Sequence, residues 1–287
     1  MPASITQAFV QQWDDTIRLQ AQQKESRLEM TVSDKGSITG ESFTANRLAP
    51  IDDTPANTTR HGDTVWSDAI HSTRVGLMQD FYQALPVDRA DEPKLLVNPA
   101  GTAYPSSLNM AWNRRKDQLI FSALIGNSQN KEGGQVAIPA GQIIVHGSAV
   151  FTKAKIIQAK VLFRKNESDN NNGEELYCAY NSEMMSDILS DTTLTSADFM
   201  AVKMLYEGDV SGKWLGVNWV PYEKIQLVST TYTTAMWAKS ALLRGTGFVE
   251  GRAQRRGDKK DTLQVSMAAS FGAVRVEEEK VVRIEFI

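Results

Sequence analysis

Residue types that support catalysis are few in this sequence, and their spacing matches no common catalytic motif. The single cysteine, Cys178, lies among apolar neighbours in a predicted strand, which favours an inert buried thiol over a nucleophile. His61, Asp63 and Ser72 supply the residue types of a Ser–His–Asp triad, but all three lie in polar segments where such residues are common. No G-x-G-x-x-G, G-x-x-x-x-G-K-[ST] or G-x-S-x-G motif occurs. We therefore predict no catalytic residues and no cofactor.

Metal-binding patterns give the same result. The polar loop from Glu167 to Glu175 is rich in Asp, Asn and Glu, but no register of the calcium-loop motif fits it. One cysteine and three well-separated histidines cannot form an intramolecular disulfide or a structural zinc site. The sequence therefore predicts no metal site, and its cysteine usage is typical of a reducing compartment.

The charges are nearly balanced. The 31 basic and 34 acidic residues give a net charge of −3, which argues against an autonomous nucleic-acid-binding protein. Five basic residues nevertheless cluster near the C-terminus: Arg252, Arg255, Arg256, Lys259 and Lys260. Two aspartates dilute this cluster and no aromatic residues lie within it, so we favour a solvated loop or an ion-pair patch between subunits over a DNA contact. Arg114 and Asp117 have the spacing of a surface ion pair on a helix, which would fix the register if a neighbouring subunit covered it.

Length and composition indicate one large domain or two modest ones. The chain has 287 residues, of which 41% are hydrophobic and 23% charged, so wholesale disorder is excluded. No apolar run reaches membrane-spanning length, and we expect no membrane partner.

The first predicted helix has a narrow apolar stripe. A capping box at Ser4 precedes apolar residues that recur every four positions, namely Ile5, Phe9, Trp13 and Ile17. Such a stripe suits docking either onto the body of the same chain or onto a neighbouring subunit.

The least globular segment follows, from residue 31 to residue 64. Leu28, Met30 and Val32 alternate as in a strand, and so do parts of residues 65–78. A disordered linker and a projecting two-stranded loop both fit this segment. The alternation on both flanks favours the projecting hairpin.

The rest of the sequence alternates helices and strands. A long helix is predicted over 106–125, with Ser106 or Ser107 as its cap and Gly126 as its stop. A mixed region follows, and its expected elements are a strand at 142–145, a helix at 153–163, a strand at 175–180, helices at 182–189 and 196–206, and strands at 214–220 and 224–229. Alternating residues over 263–271 and 282–286 predict a C-terminal antiparallel hairpin that does not tolerate truncation.

The order of these parts resembles a known family. The residues that carry the resemblance are Arg60-His-Gly-Asp63-Thr64, Asp68, His71-Ser72, Arg74-Val75, Asn98-Pro99, Tyr104, Arg114, Asp117, Ser196-Ala-Asp198, Trp237 and Phe271-Gly-Ala-Val-Arg275. Together they resemble the major capsid proteins of tailed bacteriophages, which have the Hong Kong 97-type fold. This resemblance implies an α+β fold with an N-terminal arm (1–26), an extended β-hairpin loop (27–78), a peripheral domain with a long spine helix (79–148), an axial domain (149–245) and a C-terminal peripheral segment with a β-hairpin (246–287).

The resemblance also implies a function without catalysis. Copies would form hexamers and pentamers that close an icosahedral shell around double-stranded DNA, in a virion assembled in the host cytoplasm. The implied partners are a separate scaffolding protein, a portal protein, DNA bound without sequence specificity and an optional decoration protein. We expect assembly contacts at the following residues: Phe9, Trp13, Phe43, Arg60, Asp63, His71, Arg74, Arg114, Asp117, Arg255 and Arg256.

We expect two features of some family members to be missing from this protein. The chain begins almost directly at the arm, where some members carry a cleaved scaffolding segment. Lys35 lies in the predicted loop, but no acceptor for a crosslink can be assigned, so we expect none. Two alternative functions stay open: an encapsulin-like nanocompartment that encloses proteins, and a soluble α/β enzyme with a lid at residues 27–78.

Overall fold

The structure is a computed structural model that describes residues 19–51, 53, 60–64, 66–94, 103–190 and 212–287. The predicted helices at 4–17 and 196–206, together with Phe9 and Trp13, lie outside the described residues. Within the described part, no helix is long and apolar enough to cross a membrane.

The described residues form three helices and fifteen strands. The helices are α1 (Ala103–Ile125), α2 (Lys153–Lys165) and α3 (Ser182–Ser190). The strands are β1 (Ser33–Ser37), β2 (Ser42–Leu48), β3 (His71–Leu77), β4 (Gln79–Val87), β5 (Ser128–Asn130), β6 (Gln135–Val136), β7 (Ile143–Ile144), β8 (Leu176–Tyr180), β9 (Gly212–Trp214), β10 (Val217–Pro221), β11 (Gln226–Val228), β12 (Thr231–Ala238), β13 (Leu242–Arg256), β14 (Thr262–Arg275) and β15 (Val281–Phe286).

The strands are arranged in three sheets. One sheet has the order β1-β13-β14-β4, and a second has the order β2-β3-β5-β6. The third has seven strands in the order β7-β15-β12-β8-β10-β9, with β11 paired to β12. The chain divides into two compact units. The first holds residues 81–114 and 249–269 with the described residues up to 25, and the second holds 26–80, 115–248 and 270–287.

Helix α1 ends where the sequence predicts and begins earlier. The amide of Gly126 donates to the Ser122 carbonyl oxygen at 2.8 Å, just after the last helical residue. The helix starts at Ala103 and so includes Pro105, which the first turn tolerates because amide groups there have no helical acceptor. Its 23 residues correspond to about 35 Å.

The C-terminal hairpin prediction is wrong. Strand β14 has β13 and β4 as neighbours, whereas β15 pairs antiparallel with β12 and parallel with β7 in the seven-stranded sheet. The alternation within β15 is confirmed, since Val282, Ile284 and Phe286 are fully buried. Alternation predicts which face of a strand is buried but does not identify the strand that pairs with it.

Two further local predictions are wrong. Residues Glu29–Thr31 form a turn of 3₁₀ helix instead of a strand, with Leu28 and Val32 buried and Met30 77% exposed. The segment 214–220 is not one strand, because Leu215 and Gly216 both have positive φ (52° and 75°) and turn the chain between β9 and β10. Two consecutive positive φ values are characteristic of the tight turn that joins paired strands.

Most other described elements of the mixed region follow the sequence prediction within a few residues, but strand β12 is not among the predicted elements. Helices α2 and α3 and strands β7, β8 and β11 lie at the expected positions. Cys178 is fully buried in β8, and its burial raises the pKa of the thiol, so it is an inert core residue. In the core of this sheet the Phe151 ring packs edge-on against Phe286 and Trp219, with centroid distances of 5.6 and 6.2 Å.

Candidate assembly surfaces

The predicted hairpin is present. Strands β2 and β3 pair antiparallel in a continuous register from Ser42 opposite Leu77 to Leu48 opposite His71. The amide of Ala49 donates to the Ile70 carbonyl oxygen at 2.9 Å and extends the pairing by one step. We call the described residues of 49–70 the hairpin tip. The paired strands hold the two ends of this tip together.

Large apolar side chains at and beside the tip are exposed. Trp66 is 91% exposed and Ile70 is 70% exposed, and Ile51 and Leu48 are each more than half exposed. Single exposed apolar residues are ordinary, but four on one short segment are typical of a surface that another molecule covers. The predicted contact residues Arg60, Asp63 and His71 are also exposed, at the tip or at the start of β3.

The β2–β3 pair is held to its own chain by a buried ion cluster. Arg74 on β3 donates to both carboxylate oxygens of Glu278, each at 3.1 Å, and Arg47 on β2 donates to one of them at 2.7 Å. Glu278 is 3% exposed and Arg74 is 8% exposed. Arg74 is thus occupied within its own chain, and its burial does not favour the expected assembly contact.

Phe43 is also buried within its own chain. Its ring lies over Gly76, Gly245 and Gly272, where an added methyl group at Gly245 or Gly272 would approach ring carbons to 3.2 and 3.1 Å. An added methyl at Gly76 would overlap the ring outright. Phe43 is therefore a packing residue in a cradle that requires glycine, and only 5% of its surface is open to another subunit.

The prediction of a surface ion pair between Arg114 and Asp117 is wrong. Asp117 is fully buried and accepts hydrogen bonds from the Ser26 hydroxyl at 2.5 Å and from the amides of Arg27 and Leu28 at 2.9 and 3.1 Å. Arg114 instead donates to the side-chain oxygen of Gln22 at 2.7 Å. Spacing on a helix predicts only that two side chains can meet, and the polar segment before residue 29 supplies better partners.

The predicted basic cluster is largely paired within the chain. Arg255 contacts Glu92 at 2.8 Å and Arg256 contacts Asp258 at 2.7 Å. The hydrogen bond from Arg256 lowers the pKa of Asp258 to about 2. These arginines therefore have counter-charges within their own chain, and they lie on strand β13 instead of in the expected loop. The alternative of an ion-pair patch between subunits stays a prediction.

Comparison with known proteins decides the family. The family described as "Phage capsid protein" matches residues 5–287, nearly the whole chain. The chain belongs to the phage capsid protein family. No curated protein sequence matches it.

Solved phage structures share the fold of this capsid protein. A chain from "Mycobacterium phage Che8" is 16% identical, with 96% of this chain and 97% of that chain covered at a TM-score of 0.70. The "Capsid of Ralstonia phage GP4" is 11% identical, with 97% and 95% covered at 0.72. The "Cyanophage Pam1 capsid asymmetric unit" is 11% identical, with 98% and 97% covered at 0.73. The expected Hong Kong 97-type fold is confirmed.

The capsid protein is a major capsid protein of the phage head, and its role is structural. Family membership decides against the alternative of a soluble enzyme with a lid. Within the described residues, no three His, Cys, Asp or Glu side chains are grouped to hold a metal ion. In the loop considered for calcium, Asp169 instead pairs with Arg164 at 2.8 Å and caps the turn that follows it.

Sequence reasoning missed two residues, the exposed Trp66 at the hairpin tip and the buried Glu278 of the ion cluster. Trp66 is a large aromatic residue within a polar segment, and that contrast alone could have marked it. Glu278 stands among three consecutive glutamates in a predicted turn, and nothing in the sequence distinguishes it from its neighbours. Its importance depends on Arg74, which lies 204 residues away in the chain.

Proposed function

We propose that this capsid protein assembles into hexamers and pentamers that close an icosahedral shell around double-stranded DNA. The proposed partners are a separate scaffolding protein, a portal protein, DNA without sequence specificity and an optional decoration protein. We place assembly in the host cytoplasm before the protein becomes part of the virion. The five-part division into arm, extended loop, peripheral domain, axial domain and C-terminal segment belongs to the same proposal, without the C-terminal hairpin.

One observation carries the assembly proposal, namely the exposed apolar hairpin tip. Trp66 at 91% exposure would contribute about 2 kcal/mol on burial, and Ile70 at 70% exposure would add a comparable amount. Ordering of the tip and loss of subunit freedom offset part of this gain. Each tip contact is therefore modest, and shell stability would come from the many contacts that each subunit makes.

The test is a pair of polar substitutions at the tip. Trp66→Ser with Ile70→Ser removes the apolar surface without touching the β2–β3 pair or its buried ion cluster. We expect unchanged circular dichroism of the unassembled subunit and at least about a tenfold lower yield of shells, by sedimentation and negative-stain microscopy. Val161→Ser is the matched control, because Val161 is 60% exposed and lies on α2.

Normal shell yield from the double variant would refute the role of the tip. An equal loss in the control would show that any apolar surface residue has this effect. Deleting residues 33–60 is a poorer test, because that range contains β1, β2 and Phe43.

Nucleic acid in purified particles separates a genome-filled shell from the encapsulin-like alternative, in which protein cargo would replace it.

A further inference from the structure

The turn that bears Glu278 is anchored by backbone hydrogen bonds. It connects β14 to β15, and the amide of Val276 donates to the Ala241 carbonyl oxygen at 2.8 Å. Within the turn, the amide of Val281 donates to the Glu278 carbonyl oxygen at 3.2 Å. Just before the turn, the fully buried Arg275 donates to the carbonyl oxygens of Leu124 and Val136 at 3.0 and 2.9 Å. The Glu278 carboxylate therefore has a fixed position.

This carboxylate holds both strands of the β2–β3 pair. It accepts from Arg47 on β2 and from Arg74 on β3, as described above, and it is 3% exposed. The neighbouring Glu279 differs, because its side chain is 49% exposed and, among the described residues, its one ion pair is with Arg47 at 3.5 Å. A buried carboxylate between two arginines resists separation, since an arginine left without it would keep an uncompensated buried charge.

Phe43 holds the opposite end of the pair. Arg47 lies near the tip and Phe43 lies four residues earlier, at the end of the register where Ser42 is opposite Leu77. The ring of Phe43 contacts glycines on β3, β13 and β14, so movement of β2 would have to withdraw it from this cradle. The β2–β3 pair is thus fixed at both of its ends.

We propose that Phe43, Arg47, Arg74 and Glu278 form a latch that fixes the β2–β3 pair to the rest of its unit. Reorientation of the hairpin during assembly then begins beyond Leu48 and His71, in the tip, and not at the base of β2. After the Ala49–Ile70 hydrogen bond, the described tip residues form no strand. The latch itself is a property of the unassembled subunit. Only the statement that the hairpin reorients during assembly rests on the proposed function.

The test measures distances between spin labels in the unassembled full-length protein. One cysteine is introduced at Ser186 on α3, and a second at Thr44 on β2 or at Asp68 in the tip; all three positions are exposed. Cys178 is fully buried and stays unlabelled. We expect a narrow distance distribution for the Thr44 label and one at least about twice as wide for the Asp68 label.

The variant Glu278→Gln tests the carboxylate. It keeps the shape of the side chain and removes its charge, so the distribution at Thr44 should widen at least about twofold, while Glu279→Gln leaves it unchanged. If Glu278→Gln does not fold, Phe43→Leu tests the other end of the latch with the ion cluster intact. A wide distribution at Thr44 in the protein without these substitutions, or a narrow one in both Glu278→Gln and Phe43→Leu when they fold, would overturn the latch.

Shell yield distinguishes the two proposals. If Glu278→Gln widens the distribution at Thr44 and the double variant of Trp66 and Ile70 still forms shells normally, the latch stands and the proposed assembly role of the tip is wrong. If the distribution stays narrow in Glu278→Gln and Phe43→Leu, the latch is wrong, whatever the yield of shells from the Trp66 and Ile70 variants.

Discussion

Asp117 offers the clearest quantitative prediction. Its carboxylate is fully buried and accepts three hydrogen bonds from residues 26–28, two of them from backbone amides. A hydrogen bond to a charged group contributes about 1.5 kcal/mol or more, so three of them contribute about 4 to 5 kcal/mol before losses. Asp117→Ala also leaves the buried amide of Leu28 without this acceptor, which adds to the cost.

We therefore expect Asp117→Ala to lower the free energy of unfolding by about 4 kcal/mol. Asp117→Asn keeps one oxygen acceptor and the same volume, so it should lower that free energy by about 2 kcal/mol. Urea unfolding of the unassembled subunit, followed by tryptophan fluorescence, measures both values.

The control is Asp91→Ala. Asp91 is 61% exposed in its side chain and pairs with Lys94 at 3.2 Å, so its removal should change the free energy of unfolding by less than about 0.5 kcal/mol. A loss below about 1 kcal/mol for Asp117→Ala would refute the reasoning, because the three contacts would then contribute no more than a surface pair.

Two further predictions concern the seven-stranded sheet and the turn beside it. Phe286 is fully buried and stacks on Tyr232 at 5.3 Å, so Phe286→Ala should lower the free energy of unfolding by about 3 to 5 kcal/mol, while deletion of the 41% exposed Ile287 should cost less than about 1 kcal/mol. Calorimetry of the two variants measures the difference, and equal losses would contradict the packing argument. Although burial alone would raise the pKa of Glu174, hydrogen bonds from Lys280 and Ser240 hold it below its ordinary 4.5. Around these pH values Glu174 therefore binds fewer protons in the folded protein than in the unfolded chain. The resulting stabilisation of the folded state is present above pH 4.5 and is lost as pH falls through the lowered pKa. Because the side chains of Glu174 and Lys280 are each 20% exposed, we expect this stabilisation to be no more than about 1 kcal/mol. It should be seen as a smaller acid-induced drop in unfolding temperature for Glu174→Gln than for the unsubstituted protein.

Helices α2 and α3 and the buried strand β8 were predictable because their signals are local. The apolar spacing of α2, the stop at Gly126 and the apolar run around Cys178 each depend on residues within one or two turns. The hairpin was predictable for a related reason, since two alternating flanks around a long polar stretch have few other arrangements.

The pairing partners were not predictable in the same way. Strand β15 alternates as expected, yet its neighbours are β12 and β7, which the local pattern does not specify. Leu28 and Val32 lie on one side of a 3₁₀ turn as well as they would on a strand, so their spacing does not separate the two structures. Phe43, Arg74 and Asp117 were expected to be assembly contacts, but they are buried because residues from distant segments of the same chain enclose them.

The sequence by itself determined the absence of familiar catalytic motifs, the approximate positions of α1, α2, α3, β7, β8 and β11 and the resemblance to phage capsid proteins, since composition, periodicity and the order of short motifs are properties of the chain alone. Only the tertiary structure decided that Glu278 meets Arg47 and Arg74, that Phe43 rests on three glycines and that Trp66 stays exposed. Burial and electrostatic pairing depend on which distant residues come into contact, and those contacts exist only after the strands have paired.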